Sequence, residues 1–384
     1  MNSTLPATDS DHPHVSVIVV GSGAPLQSMG WYHAVQLLDG RIPSAQLDHV
    51  VEPWWTCDEA RGTLEYTAFA DWQQTLQQRP GGGVQCWSHV ADVPESTTPN
   101  VPRLVILSAR TSENPRLLAE CLRHLDCRAI FLEKPGAPTV RELQLMQTQA
   151  AAAGVKVYLG FNKNVSAYLT QTRLFAEHAD EPVDVTFLHN NAYPNEPAAL
   201  AECFERNAEG MLKNMAIHEL AILATFYDVT VDNIASVHVD REFSLCQTLI
   251  GPSTGQSYTD FVKLRFRIVT WNGKSASIAA DRCGGDDSVG IVTNSHATEL
   301  ARFIMPDADA LAQIPMLAAR YPGARPYFFT QDPDYRTLKE RVVQYCLDGT
   351  PPHGVADLDI AITALQLAEY LTPILQAQLA ESSA

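Results

Sequence analysis

Residues 210–220, GMLKNMAIHEL, place one imidazole, His218, in an apolar stretch with helical spacing. Asn214 lies four residues earlier and so shares a helix face with it, and Lys213 comes just before Asn214. Two readings of His218 compete. A lone histidine on an apolar helix is commonly a core residue satisfied by a backbone partner. A histidine near neutral pKa is also the natural side chain to take a proton from a reacting group. Lys213 is a candidate for binding a substrate carboxylate, against the plain reading of a solvated helix lysine. Glu219, beside His218, projects about 100° away around a helix and is not expected to hold the imidazole.

A second cluster is built from glycines. Gly21 and Gly23 follow the apolar, β-branched run HVSVIVV (14–20) and precede WYHAVQLLDG, which has helical periodicity. AQLDHVVEP then forms a further strand ending on Glu52. Strand, glycines, helix and a terminal acid form the plan of a dinucleotide site. The glycines let backbone approach a pyrophosphate at a helix N-terminus, and the acid takes the ribose hydroxyls. The spacing departs from G-x-G-x-x-G: Leu26 occupies the third position, and Gly30 arrives four residues late. A carboxylate at 52 accepts from a 2′-hydroxyl and repels a 2′-phosphate, and PWW follows with no arginine, so NAD is expected over NADP. The bland alternatives are a tight turn and a solvated strand end.

The surrounding pattern supplies the scaffold. LVILSA (104–109), AIFLEKP (129–135) and VKVYLGFN are buried strands, separated by the helical NPRLLAECLRHL and VRELQLMQTQAAAAG. Strict alternation through residue 160 predicts an α/β domain, a doubly wound parallel sheet of the Rossmann type. Beyond it, 182–193, 234–245, 260–271 and 274–283 read as longer strands, and FVKLRFRIV alternates as in an antiparallel sheet with one polar face. The expected division is a disordered tail at 1–14, a dinucleotide domain at 15–158 and a substrate and oligomerisation domain at 159–384. The last is an α+β unit with a large, mostly antiparallel open sheet, whose C-terminal helices are free to pack back on the first domain. QQRPGGGVQ (77–85) reads as a flexible turn.

Bulk properties narrow the partners. The chain has 384 residues, 46% of them apolar, with 44 acidic against 27 basic residues and a net charge of −17. Length favours two domains, and the charge argues against nucleic acid and against an anionic membrane surface. No window of some twenty apolar residues is evident and the N-terminus lacks a basic, apolar leader, so neither a transmembrane helix nor a signal peptide is expected. Eight cysteines without a C-x-x-C pair suggest reduced thiols in a cytoplasmic protein. No metal site is expected; His12 and His14 are the nearest approach to one.

The Glu-Lys-Pro that ends FLEKP, the helix after it and the strand ending in Gly-Phe-Asn together resemble the glucose-fructose oxidoreductase / inositol dehydrogenase / MocA family. GWYHAVQL is similar to that family's first helix, with Gly30 and His33 in the usual places, and LGFNKNVSAY to its crossover into the second domain. GMLKNMAIHEL resembles its Asp-x-x-x-His helix, and ERVVQYCLDGTPPHGVADLDIAITALQLAEYL its C-terminal segment. The likeness runs from about residue 15 to 375. It implies that Lys134 and His218 are catalytic, that Glu133 and Pro135 shape the turn presenting Lys134, and that the second sheet forms a homodimer or homotetramer. By position it implies cofactor contacts at Gly21, Gly23, Gly30, Glu52, Ser108, Ala109, Glu133 and Lys134. Two departures stand out. Asn214 replaces the family's Asp, which leaves His218 a weaker base, and Ala109, Arg110 and Asn114 replace a Thr-Pro and a histidine after the LVILSA strand.

The expected function is hydride transfer between nicotinamide and a sugar, cyclitol or related hydroxy or keto compound. His218 moves the proton, Lys134 stabilises the alkoxide and Asn214 positions them. One alternative is an imine or conjugated-substrate reductase of specialised metabolism, which needs only a proton donor. Another is a non-enzymatic dinucleotide sensor or regulator, for which the Lys134–His218 pair would have no use. Substrate candidates are Lys213, Asn162, Tyr193 and Arg282, with Asn190, Asn191 and Tyr327 in neighbouring loops.

Overall fold

The computed structural model describes residues 13–79, 83–98 and 100–380. All of the expected N-terminal tail except its last two residues, with His12, and the centre of the turn at 77–85 lie outside them.

Six short strands form the first sheet: β1 (Val15–Val20), β2 (Ala45–Val51), β3 (Gln85–Trp87), β4 (Arg103–Leu107), β5 (Ala129–Leu132) and β6 (Lys156–Leu159). All pair in parallel, in the order β3-β2-β1-β4-β5-β6. β1, β4 and β5 are buried along their whole length, which is why they read as continuous apolar runs. Helices α1 (Met29–Leu38), α2 (Leu64–Gln77), α3 (Asn114–His124) and α4 (Val140–Ala153) provide the crossovers. α4 starts where the Thr139 side chain accepts from the Glu142 N–H, and stops at Gly154, whose φ of 69° a side chain would oppose. Strand order reverses between β1 and β4, the place where such sheets open a ligand crevice at their C-terminal ends.

The second half holds α5 (Ala167–Glu177), β7 (Val183–Asn190), α6 (Pro197–Arg206), α7 (Met211–Asn214) and α8 (Ile217–Phe226). Then follow β8 (Ile234–Val239), β9 (Leu245–Ile250), β10 (Ser257–Thr270), β11 (Ser275–Asp281), β12 (Ser288–Asn294) and β13 (Glu299–Met305). The second sheet runs β13-β12-β7-β11-β10-β8, with β9 beside β10. Only its β7–β11 pair is parallel. Along β10, Leu264, Phe266 and Ile268 face the core while Lys263, Arg265 and Arg267 face outward, the alternation legible in the sequence.

Four helices finish the chain: α9 (Ala308–Arg320), α10 (Pro326–Thr330), α11 (Asp332–Asp348) and α12 (Leu358–Ala380). α11 packs back on the first sheet, setting Tyr335, Leu338, Val342 and Val343 against Val17, Val19, Leu104 and Phe131. Trp31, Tyr32 and Val35 of α1 meet Leu317, Phe328 and Phe329 in the same way. α12 is long and apolar enough, by length and composition, to cross a membrane, which corrects the expectation that no such segment exists. Its Leu365, Leu367, Leu371 and Leu375 are buried in a core shared with α4 and α8. Each such leucine contributes about 1.5–3 kcal/mol to folding, which accounts for the helix's apolar character inside a globular fold.

Candidate active site

The glycine turn depends on close backbone packing. Gly21 has φ 79°, and a Cβ on it would lie 2.8 Å from the Ala109 backbone. A Cβ on Gly30 would lie 2.2 Å from the Gly21 carbonyl oxygen. Gly30 therefore seats α1 against the end of β1, the packing role of a third fingerprint glycine, despite its late position. The extra residues bulge outward: Gln27 and Ser28 donate to the Ala24 carbonyl, and the Leu26 carbonyl accepts from the Arg325 N–H at 3.1 Å. α1 begins at Ser28 without a side-chain cap and without an acid in its first turn, so its N-terminus remains an open anion-binding end.

Glu52 is buried and turned into this loop. Its Oε2 accepts from the Gly23 N–H (2.6 Å) and from Ser22 Oγ (3.3 Å), and its Oε1 from the Trp54 N–H (3.1 Å). Burial raises its pKa against the opposing pull of these donors. The solvated strand end is thereby excluded. Glu52 braces the turn, with the Trp55 N–H also acting on its carboxylate. Ser108 donates its N–H to the Val20 carbonyl, and Ala109 abuts Gly21, so both line the crevice. Asn114, by contrast, is buried and ties α3 to the Gly136 carbonyl at 3.0 Å. An open helix end, a glycine cradle that any Cβ would fill and a braced acid together fit a dinucleotide.

At the end of β5, Glu133 points inward. Its Oε1 meets His33 Nε2 at 2.9 Å, and its Oε2 accepts from Tyr335 Oη at 3.5 Å. On the other side of the ring, Lys339 Nζ lies 2.8 Å from His33 Nδ1. Burial and then the Lys339 charge lower the His33 pKa to about 4, so the ring is neutral near pH 7. The Glu133 carboxylate can only accept, which puts the ring proton on Nε2, facing it. Lys339 is itself lowered to about 7 by burial. Glu133 thus anchors the turn that presents Lys134. The Lys134–Pro135 bond that follows is cis.

Lys134 reaches across to the second half. Its Nζ donates to the Asn214 carbonyl at 3.3 Å, and burial lowers its pKa, with Glu133, Glu209 and Glu219 opposing. His218 is 6% exposed, edge-on to Phe161 and His189, and its Nδ1 has no hydrogen-bond partner. Burial, then the charges of Lys134, Lys163 and His189, hold its pKa well below the usual value, so it is a neutral imidazole.

The expected Asn214–His218 pairing is not formed. α7 ends at Asn214 and α8 begins at Ile217, so the two do not belong to one helix, and the Asn214 side chain donates instead to Glu209 Oε1 at 2.9 Å. Asn214 holds Lys134 through its backbone carbonyl alone. Glu219 likewise makes no hydrogen bond to His218. It accepts from Lys163 Nζ at 2.6 Å and meets His189 Nδ1 at 3.2 Å, all three side chains being largely or wholly buried. Burial alone would raise the Glu219 pKa, but the Lys163 and His189 charges hold it at about 2.

Lys163 and His189 were not singled out from the sequence, and Glu219 was considered there only as a neighbour of His218. Their one local signal is the lysine directly after Gly-Phe-Asn. Around them stand buried polar atoms without partners, the Asn162 amide and the Tyr168 hydroxyl, beside Asp334, whose carboxyl is pushed up to about 7 by burial. Orphaned buried polar groups are rare and mark strain or a place for a polar ligand.

Of the remaining substrate candidates, two are spoken for. Lys213 pairs with Glu369 of α12 at 2.8 Å. Arg282 is fully buried and spends its donors on Asp260 (2.5 Å), the Phe261 carbonyl (3.1 Å) and Cys203 Sγ (3.3 Å). Both cations are committed to partners within the second half. Tyr193 Oη accepts from Arg206 at 3.3 Å on the surface, and Asn190 donates to Asp287 at 2.7 Å. Tyr327 sits within electrostatic reach of both Glu133 and Tyr193, so the 324–336 segment lies over the first sheet's end. Among the described residues no group of three or more His, Cys, Asp or Glu could hold a metal ion, and all eight cysteines are free thiols.

No protein-family model matches the chain, and no curated protein does. Solved structures share its fold. A myo-inositol dehydrogenase from Corynebacterium glutamicum is 16% identical, over 95% of this chain and 97% of that one, with a TM-score of 0.65. A scyllo-inositol dehydrogenase from Lactobacillus casei, solved with bound NAD(H) and scyllo-inositol, is 12% identical over 96% and 98%, with a TM-score of 0.64. A myo-inositol dehydrogenase from Lactobacillus casei, in complex with NAD(H) and myo-inositol, is 15% identical over 96% and 94%, with a TM-score of 0.59.

Proposed function

We propose that this chain is an NAD-dependent dehydrogenase of the glucose-fructose oxidoreductase / inositol dehydrogenase / MocA type, acting on a ring hydroxyl of a cyclitol or sugar. One observation carries the reading: Lys134, from the first sheet, bonds the Asn214 backbone in the second half and comes within electrostatic reach of the buried, neutral His218. The fold it shares with dehydrogenases solved with NAD(H) and inositols supports it. In this reading residues 15–158 hold the cofactor and 159–384 the substrate.

The bound nicotinamide supplies the hydride acceptor. The chain supplies the rest. The Gly21–Gly23 turn and the open end of α1 hold the pyrophosphate, and Glu52 takes a ribose hydroxyl and disfavours NADP. The Lys134 ammonium orients the reacting hydroxyl and stabilises charge developing on its oxygen. Neutral His218 takes the proton. With no carboxylate on His218 and two ammoniums nearby, the imidazolium is unstable, so His218 hands its proton on quickly and donates readily in reverse. That asymmetry favours a carbonyl or imine reductase as the second reading. The open face of the second sheet, with Ile304 44% exposed, is the surface for a homodimer or homotetramer.

Thermal shift with NAD, NADH, NADP and NADPH, then NADH absorbance with a panel of inositols and sugars, tests the proposal. Binding of NAD or NADH with turnover of a polyol is expected. If no dinucleotide binds, both readings fall. Binding without turnover of any hydroxy, keto or imine compound would point to a sensor.

A further inference from the structure

Two residues past Glu52, Trp54 donates its backbone N–H to the Glu52 carboxylate and leaves its side chain largely in the open, the residue being 47% exposed. From the other side of β1, Arg110 follows Ala109 at the end of β4. Its guanidinium carbon lies 5.6 Å from the centroid of the Trp54 ring. β2 and β4 flank β1 in the sheet, so this contact joins the segments that follow the two strands on either side of β1, whose own end carries the glycine turn. Arg110 is exposed, and among the described residues it forms no salt bridge. An indole and a guanidinium without a carboxylate, facing each other beside a buried ribose-type acid, suit a flat, uncharged π-system.

We propose that Trp54 and Arg110 form a stacking clamp for the adenine base of the dinucleotide. This rests on the dinucleotide reading above and names the residues that grip its adenosine end. Glu52 fixes the position of Trp54 through the shared hydrogen bond, so ribose and base are placed by one local unit. The exposed Arg110 side chain swings from the indole to admit the base and then covers its second face. An arginine directly after Glu52 is absent from the sequence; the fold brings one from another strand instead.

The test titrates the full-length chain and its Trp54→Ala, Trp54→Phe and Arg110→Ala variants with NADH, NADPH and ADP-ribose by calorimetry, following tryptophan emission in parallel. Both alanine variants should bind NADH and ADP-ribose about tenfold or more weakly, the scale of a lost base–aromatic stack. Trp54→Phe should keep affinity within about threefold, since phenylalanine still offers a ring face, while losing most of the emission change. Unchanged affinity in both alanine variants overturns the clamp. So does an Arg110→Ala variant that weakens NADPH alone, since Arg110 would then serve a phosphate. If the unmodified chain binds none of the three compounds, the dinucleotide reading itself fails; a clamp-only failure leaves wild-type binding intact.

Discussion

Lys134 Nζ donates to the main-chain oxygen of Asn214, 3.3 Å away, and so joins the end of a strand in the first sheet to a helix break in the second half. The contact is to backbone, so any residue at 214 preserves it. Lys134→Ala and His218→Ala should each lower kcat/KM by about 10²–10⁴-fold, the scale of a lost acid–base or charge-stabilising group. Thermal midpoints measured alongside should change little. Undiminished turnover in either variant would remove that residue from the chemistry.

Asn214→Ala separates a side-chain role from a backbone one. Its amide is spent on Glu209, so the variant should retain the wild-type shape of kcat/KM against pH. A profile displaced by half a pH unit or more, roughly 0.7 kcal/mol, would mean that the amide does act on His218.

The Lys163–Glu219 pair is fully buried, so removing one charge strands the other. Glu219→Gln should cost about 3–5 kcal/mol in urea unfolding. The pH dependence has a definite sign. Glu219 titrates at about 2 when folded, below its ordinary 4.5, so its stabilisation is present above pH 4.5 and is lost as pH falls from there toward 2. Wild-type stability should decline through that window, and the Gln variant should decline less steeply.

Gly30→Ala tests the seat of α1. The added methyl would meet the Gly21 oxygen at 2.2 Å, so helix and turn must part. NADH affinity should fall by tenfold or more, with about 1–3 kcal/mol lost in stability. Binding at wild-type strength would show that Gly30 does not shape the cofactor cleft.

The second sheet's open face predicts self-association. Light scattering after size exclusion should give a dimer or tetramer mass, and Ile304→Lys should shift it toward the monomer by placing a charge in the contact. A monomeric wild type rejects the assembly.

Much of this architecture was readable in the sequence, because buried parallel strands leave apolar runs and β10 leaves a clean alternation. β3 escaped notice: three residues, partly exposed, carry no period. β9, β12 and β13 escaped because none of their sequences alternates apolar with polar residues, and β9 and β13 lie half in solvent. Lys134 and His218 were found through their motifs. The break after Asn214 was invisible, since no glycine or proline interrupts 211–223 and Met211, Leu212, Met215, Ala216 and Ile217 keep a helical spacing through it. Lys163 and Glu219 are 56 positions apart, and only the folded chain makes them neighbours.

The packing of α11 on the first sheet has a consequence for biosynthesis. Tyr335, Leu338, Val342 and Val343 complete a core begun by Val17 and Val19, and Lys339 completes the His33–Glu133 anchor under the Lys134 turn. A ribosome-bound chain that has released only its first 160 residues holds a sheet with one face unsealed. The N-terminal half therefore completes its core last, after nearly all of the polypeptide has emerged, and expressed by itself it would be a client for chaperones.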